Sequence, residues 1–162
     1  MSNSDAITRV VLKKITPDVS ASMGALHGAA VSAAQEAKLE PELLELVRIR
    51  ASQINGCAFC LDMHTKDARA AEETEQRIYA LNAWRETPFY TERERAALAL
   101  TEAVTLVHDG HVADEIYAEA AEVFDEAQIA ALIWVATVIN AYNRIAIAQR
   151  MVPGGYQPAK KS

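Results

Sequence analysis

Glu45, Cys57, Cys60 and His64 stand close together in the run ELVRIRASQINGCAFCLDMH, which holds both cysteines of the 162-residue chain. On a helix Cys57, Cys60 and His64 fall at i, i+3 and i+7 and project from one face. Asn55-Gly56 is a breaker dipeptide that closes one helix before the next begins. Cys57 is therefore expected near a helix N-terminus, where the positive end of the dipole favours a thiolate over a thiol. Such a thiolate attacks a peroxide oxygen and leaves a sulfenic acid, which a second thiol three residues away condenses to a disulfide. The reaction needs a proton for the departing alcohol or water, and His64 is placed to move it. Glu45 can hold and recharge that imidazole if its helix packs back across the Asn55-Gly56 corner.

Other chemistries fit the same residues. Cys57, Cys60 and His64 could be three zinc ligands, with Glu45 or a water as the fourth. The cysteines could also be small core residues and His64 a satisfied helix histidine. A permanent staple is a poor use of the pair, because so short a loop removes little entropy from the unfolded chain. The bond is nevertheless feasible, since helical i, i+3 positions lie roughly 5 Å apart at Cα.

The elements that must carry these side chains read as helices. Thr16-Pro17-Asp18 starts one that runs to Lys38, with Val19, Met23, Leu26 and Ala30 on one stripe. His27 lies on it as a partly buried helix residue. Pro41 opens a second, to about Asn55, with Leu43, Leu46, Val47 and Ile54 inward. The third carries Cys57 to about Ala71, and the fourth covers Glu72 to Trp84. Thr91 with Glu94 is a capping box for a fifth, ended by His108-Asp109-Gly110-His111, two histidines expected in solvent. A sixth covers Ala113 to Phe124. Asp125 and Gln128 cap the last, which reaches about Arg150 and is apolar on most of its circumference; such a helix is buried by its own core and by neighbouring subunits. Its Asn140, Asn143 and Arg144 are expected in buried hydrogen bonding or subunit contacts. Tyr79, Trp84, Phe89 and Tyr90 are candidates for an apolar approach to the thiols. The expectation is a single all-α domain of about seven helices over residues 16–151, with an N-terminal arm (1–15) and a loose tail (152–162).

Net charge is −6, and no basic run exceeds Lys160-Lys161, so nucleic-acid binding has no electrostatic footprint. The first residues lack the apolar core of a signal peptide. The stretch Ile129 to Ile139 is roughly half a membrane span. A cytoplasmic protein without membrane or nucleic-acid partners is expected.

The run ELVRIRASQINGCAFCLDMHTKDAR resembles the core of the alkylhydroperoxidase D family, within the carboxymuconolactone decarboxylase-like superfamily. The similarity extends through ALNAWRETPFYTERERAALALTEAVTLV and INAYNRIAIAQR. It implies an all-helical fold assembled as trimers or hexamers, and thiol-dependent reduction of hydroperoxides by an external dithiol without metal, haem or flavin. It further implies that Cys60 attacks the peroxide, that Cys57 is the resolving partner and the more exposed of the two, and that His64 and Glu45 form the proton relay. Phe59 stands where well-studied members carry a histidine. Other readings are a dithiol-disulfide oxidoreductase serving a separate peroxidase, a lactone decarboxylase, or a metal-binding protein.

Overall fold

The computed structural model describes residues 7–159. Among them are eight α-helices: α1 (Leu12–Ile15), α2 (Pro17–Glu36), α3 (Pro41–Asn55), α4 (Ala58–Ala70), α5 (Glu75–Ala80), α6 (Glu92–Thr105), α7 (Asp114–Val123) and α8 (Glu126–Gln149). A 3-10 helix, Leu81–Glu86, follows α5 directly, and no strand occurs among the described residues.

Local chemistry sets most of the boundaries. Pro17 and Pro41 open α2 and α3 at the first helical turn, where a missing N–H costs nothing. The capping boxes of Thr91 with Glu94 and Asp125 with Gln128 are both formed, each satisfying donors at a helix start. Thr16 behaves otherwise. Its hydroxyl donates to the Leu12 carbonyl at 3.1 Å instead of capping α2, because one turn of helix, α1, precedes it. The segment expected as an N-terminal arm thus contains α1, tied to the far end of α8 by Leu12 N–H donating to Gln149 Oε1 at 2.7 Å. The fourth expected helix starts later, at the Thr74 cap, and tightens to 3-10 geometry at Leu81.

α8 is the central element and packs against α2, α3 and α6. Its 24 residues have a mean hydropathy of 1.4 in their most apolar window, enough by length and composition to cross a membrane. Here that apolar surface meets other helices: Ile129, Leu132 and Val135 join Leu43, Val47 and Leu100 in the main core. A second cluster joins Leu46, Ile49, Leu81, Trp84, Tyr90 and Leu98. α8 is not buried on every side in the isolated chain, since Trp134 is 49% exposed. The stripe expected on α2 is likewise mostly uncovered. Ala30 is buried, whereas Val19 and Leu26 are exposed, although α2 packs along α8.

The corner between α3 and α4 positions the site. Gly56 is left-handed (φ 67°, ψ 33°), a conformation that strains any residue with a Cβ. Gly56 N–H donates to Gln53 O and Cys57 N–H to Ser52 O, the paired bonds that close a helix C-terminus. Cys57 then serves directly as the N-cap of α4. The chain reverses within two residues, laying α4 back along α3.

Candidate active site

Both cysteines are reduced and buried, Cys57 at 1% and Cys60 at 2% exposure. The resemblance implies a more accessible Cys57; the structure corrects this, because Ala51, Ile139, Ala146, Phe59 and Tyr142 pack around both. Cys57 Sγ accepts a hydrogen bond from Cys60 N–H at 3.4 Å, which sets it at the positive end of the α4 dipole. Burial, first, and the adjoining Cys57 push the Cys60 thiol up to about 12, while a hydrogen bond with Asn143 pulls it the other way. A thiol so raised needs a base before it can attack anything.

A base lies on the same helix. His64 is buried, one turn beyond Cys60, and its Nδ1 lies 2.9 Å from Glu45 Oε2 on α3. Burial works to raise the Glu45 carboxyl, but the hydrogen bond to His64 and the Arg48 guanidinium outweigh it and hold it below the ordinary glutamate value. An ionised carboxylate has no proton to give, so Nδ1–H donates, which leaves Nε2 as the nitrogen that can accept a proton. Glu45 is also paired with Arg48 through Oε1. Its two oxygens thus serve two partners at once, Oε2 the imidazole and Oε1 the guanidinium.

Behind the thiols lies a polar cluster within the core. Asn55 Nδ2 donates to Asn140 Oδ1 (2.8 Å) and Asn143 Oδ1 (2.9 Å), and Asn143 Nδ2 donates to Ser52 Oγ at 3.0 Å. Asn140 Nδ2 donates to Thr105 Oγ1 at 2.9 Å. The expectation of buried hydrogen bonding holds for Asn140 and Asn143, and Asn143 reaches Cys60 as well. Asn143→Ala removes partners from two groups in the interior and should cost about 2 kcal/mol. Thermal denaturation should show a midpoint lower by about 4–8 °C.

The aromatic candidates divide differently from expectation. Trp84 and Tyr90 belong to the second core cluster, where Trp84 Nε1–H donates to Glu102 at 2.8 Å. Tyr79 and Phe89 line a shallow surface hollow with Glu75, Gln76 and Ala80. None approaches the thiols; Phe59 and Tyr142 do. His27 on α2 sets its ring edge-on to Tyr142, with centroids 5.7 Å apart. Burial, first, and then the charge of Arg48 hold it below the ordinary histidine value.

Among the described residues, one group of donors is close enough to share a cation: Glu45, His64 and Asp67, with one atom of each within 4.8 Å of the others. Neither cysteine joins it, so the thiol-imidazole zinc arrangement is not assembled. Each member already has a protein partner, since Asp67 Oδ1 accepts from the Tyr156 hydroxyl at 2.7 Å. Tyr156 lies in the segment expected to be loose, which instead runs against α4.

Comparison with known proteins places these residues in a family context. The model of the carboxymuconolactone decarboxylase family matches residues 17–103, which include Glu45, Cys57, Cys60 and His64. The uncharacterized protein YdfG of Bacillus subtilis (strain 168) is 54% identical over 104 residues, 64% of this chain and 71% of that one. ATU0492 of Agrobacterium tumefaciens is a protein of unknown function provisionally assigned as an antioxidant defence protein, AhpD. Its crystal structure superposes with a TM-score of 0.82 at 34% identity, covering 95% of this chain and 100% of that one. The debrominase Bmp8 shares the fold (TM-score 0.72, 20% identity, 88% of this chain and 74% of that one).

Proposed function

From the chain's membership of the carboxymuconolactone decarboxylase family, we propose that it is an alkylhydroperoxidase D-like thiol peroxidase. Its substrates are hydrogen peroxide or small organic hydroperoxides. The observation that carries this reading is the contact between His64 Nδ1 and Glu45 Oε2, on the helix that presents both sulfurs. The resemblance to ATU0492 along nearly the whole chain supports it.

His64, with Nδ1–H held by Glu45, takes the Cys60 proton at Nε2, directly or through a water. The Cys60 thiolate attacks the distal peroxide oxygen; the S–O bond forms, the O–O bond breaks, and the alkoxide leaves with the proton from His64. Cys57 then attacks the Cys60 sulfenic acid; the S–S bond forms and water departs. An external dithiol reduces the disulfide and restores the cycle. The balance is one hydroperoxide and two thiols to one alcohol, one water and one disulfide.

Asn143 assists by donating to the developing Cys60 thiolate, which offsets part of the cost of charge in a buried place. The burial of both sulfurs favours peroxide as the oxidant over a separate protein disulfide, because a hydroperoxide is small enough to enter where a protein thiol is not. The uncovered apolar side chains of α2 and α8 (Val19, Leu26, Trp134) favour a homo-oligomer, and the family resemblance points to a trimer or hexamer. The test is consumption of cumene hydroperoxide by the purified chain with dihydrolipoamide as reductant. Turnover that stops when the cysteines are alkylated supports the proposal, and a rate no greater than the reductant alone overturns it.

A further inference from the structure

The C-terminal segment has no regular secondary structure, yet it is anchored to α4 at several points. Gly154 N–H donates to Asp62 Oδ2 at 2.9 Å. Lys66 Nζ donates to the carbonyls of Tyr156 (3.1 Å) and Gly154 (3.4 Å) and pairs with Asp62 on its own helix. These contacts fix the backbone at Gly154 and at Tyr156 itself, and the phenol reaches α4, where it donates to Asp67 Oδ1 at 2.7 Å. The bond to Asp67, first, and burial push the Tyr156 hydroxyl up to about 12, so it stays a neutral donor through the working range of pH.

Asp67 is the second carboxylate beside His64, within 4.8 Å of it and of Glu45. A carboxylate at that range favours the imidazolium over the imidazole. Glu45 already engages Nδ1, and a second free acid would hold the proton that His64 must release to act as a base. The other charged or titratable groups near His64 are the Cys60 thiol one turn before it on α4, Arg48 on α3, already paired with Glu45, and His27 on α2, which is held toward its neutral form.

We propose that Tyr156 is a positioning residue of the relay: its hydroxyl occupies the Asp67 carboxylate and keeps that second acid from pairing with His64. This rests on the relay described above. The test is Tyr156→Phe in the full chain, which keeps the ring and removes the donor, with Asp67→Asn and the double variant alongside. In Tyr156→Phe the acid limb of kcat/KM for hydroperoxide should move up by about half a pH unit, about threefold in rate on that limb, with the plateau unchanged. The His64 imidazole signal in NMR, followed against pH, should move the same way and requires no turnover. Asp67→Asn should move both downward, and adding Tyr156→Phe to it should change nothing further. That pattern supports the assignment. It is overturned if limb and signal stay put in Tyr156→Phe, if the shift survives in the Asp67→Asn background, or if the rate falls equally at every pH as for a merely structural strap. A wild-type chain without peroxidase turnover would sink the proposed function, while the His64 signal would still decide the role of Tyr156.

Discussion

Cys60→Ser is expected to abolish hydroperoxide turnover, lowering kcat/KM by about a thousandfold or more, the scale on which removing a nucleophile acts. A serine hydroxyl in so buried a place stays protonated and does not attack the O–O bond. Cys57→Ser should behave differently. It retains the attacking sulfur, so one equivalent of peroxide is consumed and a sulfenic acid remains on Cys60, open to trapping by a dimedone-type reagent. Steady turnover then fails for want of a resolving thiol. Rapid-mixing peroxide assays on the two variants separate these outcomes. The reverse pattern, with single-turnover reactivity kept in Cys60→Ser and lost in Cys57→Ser, would assign the attack to the sulfur at the helix N-cap.

Glu45→Gln should lower kcat/KM by about a hundredfold, the lower end of what a positioned acid-base pair contributes. The amide can accept from Nδ1–H but carries no charge to stabilise the imidazolium formed when His64 takes the thiol proton. The same substitution changes acid stability in a definite direction. The Glu45 carboxyl is held below its ordinary value by His64 and Arg48, against the opposing effect of burial. Its contribution to folding is therefore present in full above the ordinary glutamate value and is lost as pH falls through the lower, folded-state value. Glu102 acts in the same sense. Burial would raise it, but hydrogen bonds from Trp84, Arg85 and Arg50 outweigh that and hold it low. Acid unfolding of Glu45→Gln, followed by circular dichroism, should start from a lower stability at neutral pH and fall less steeply on acidification. An unchanged slope would mean that Glu45 is not held low in the folded chain.

Much of the scaffold is legible in the residues because its signals are local. Proline at the starts of α2 and α3, the two capping boxes and the Asn55-Gly56 corner each act within four residues, and each ends or begins a helix where expected. The meeting of Glu45 and His64 needs one assumption beyond spacing, that α4 folds back on α3, and Gly56 supplies the turn. Burial is less legible. The apolar stripe of α2 has the right period but stays largely uncovered in the single chain, since periodicity shows which face is apolar and not what covers it. The equal burial of Cys57 and Cys60 depends on Phe59 and Tyr142 closing over the corner, a tertiary fact without a local signature. Asn143 could be suspected from a polar break in an apolar helix, though its reach to Cys60 could not. Asp67 and Tyr156 carry no such sign. A tail rich in proline and glycine reads as unstructured, and only the hydrogen bonds to Asp62, Lys66 and Asp67 reveal that it is held.

The central claim is that Cys57 and Cys60 are an oxidisable pair driven by hydroperoxide. Its most direct test is the intact mass of the reduced chain after one equivalent of cumene hydroperoxide, followed by alkylation under denaturing conditions. Loss of two hydrogens, no alkylation, and a peptide linking Cys57 to Cys60 are predicted. Two free thiols, both alkylated after the peroxide has been offered, would contradict it.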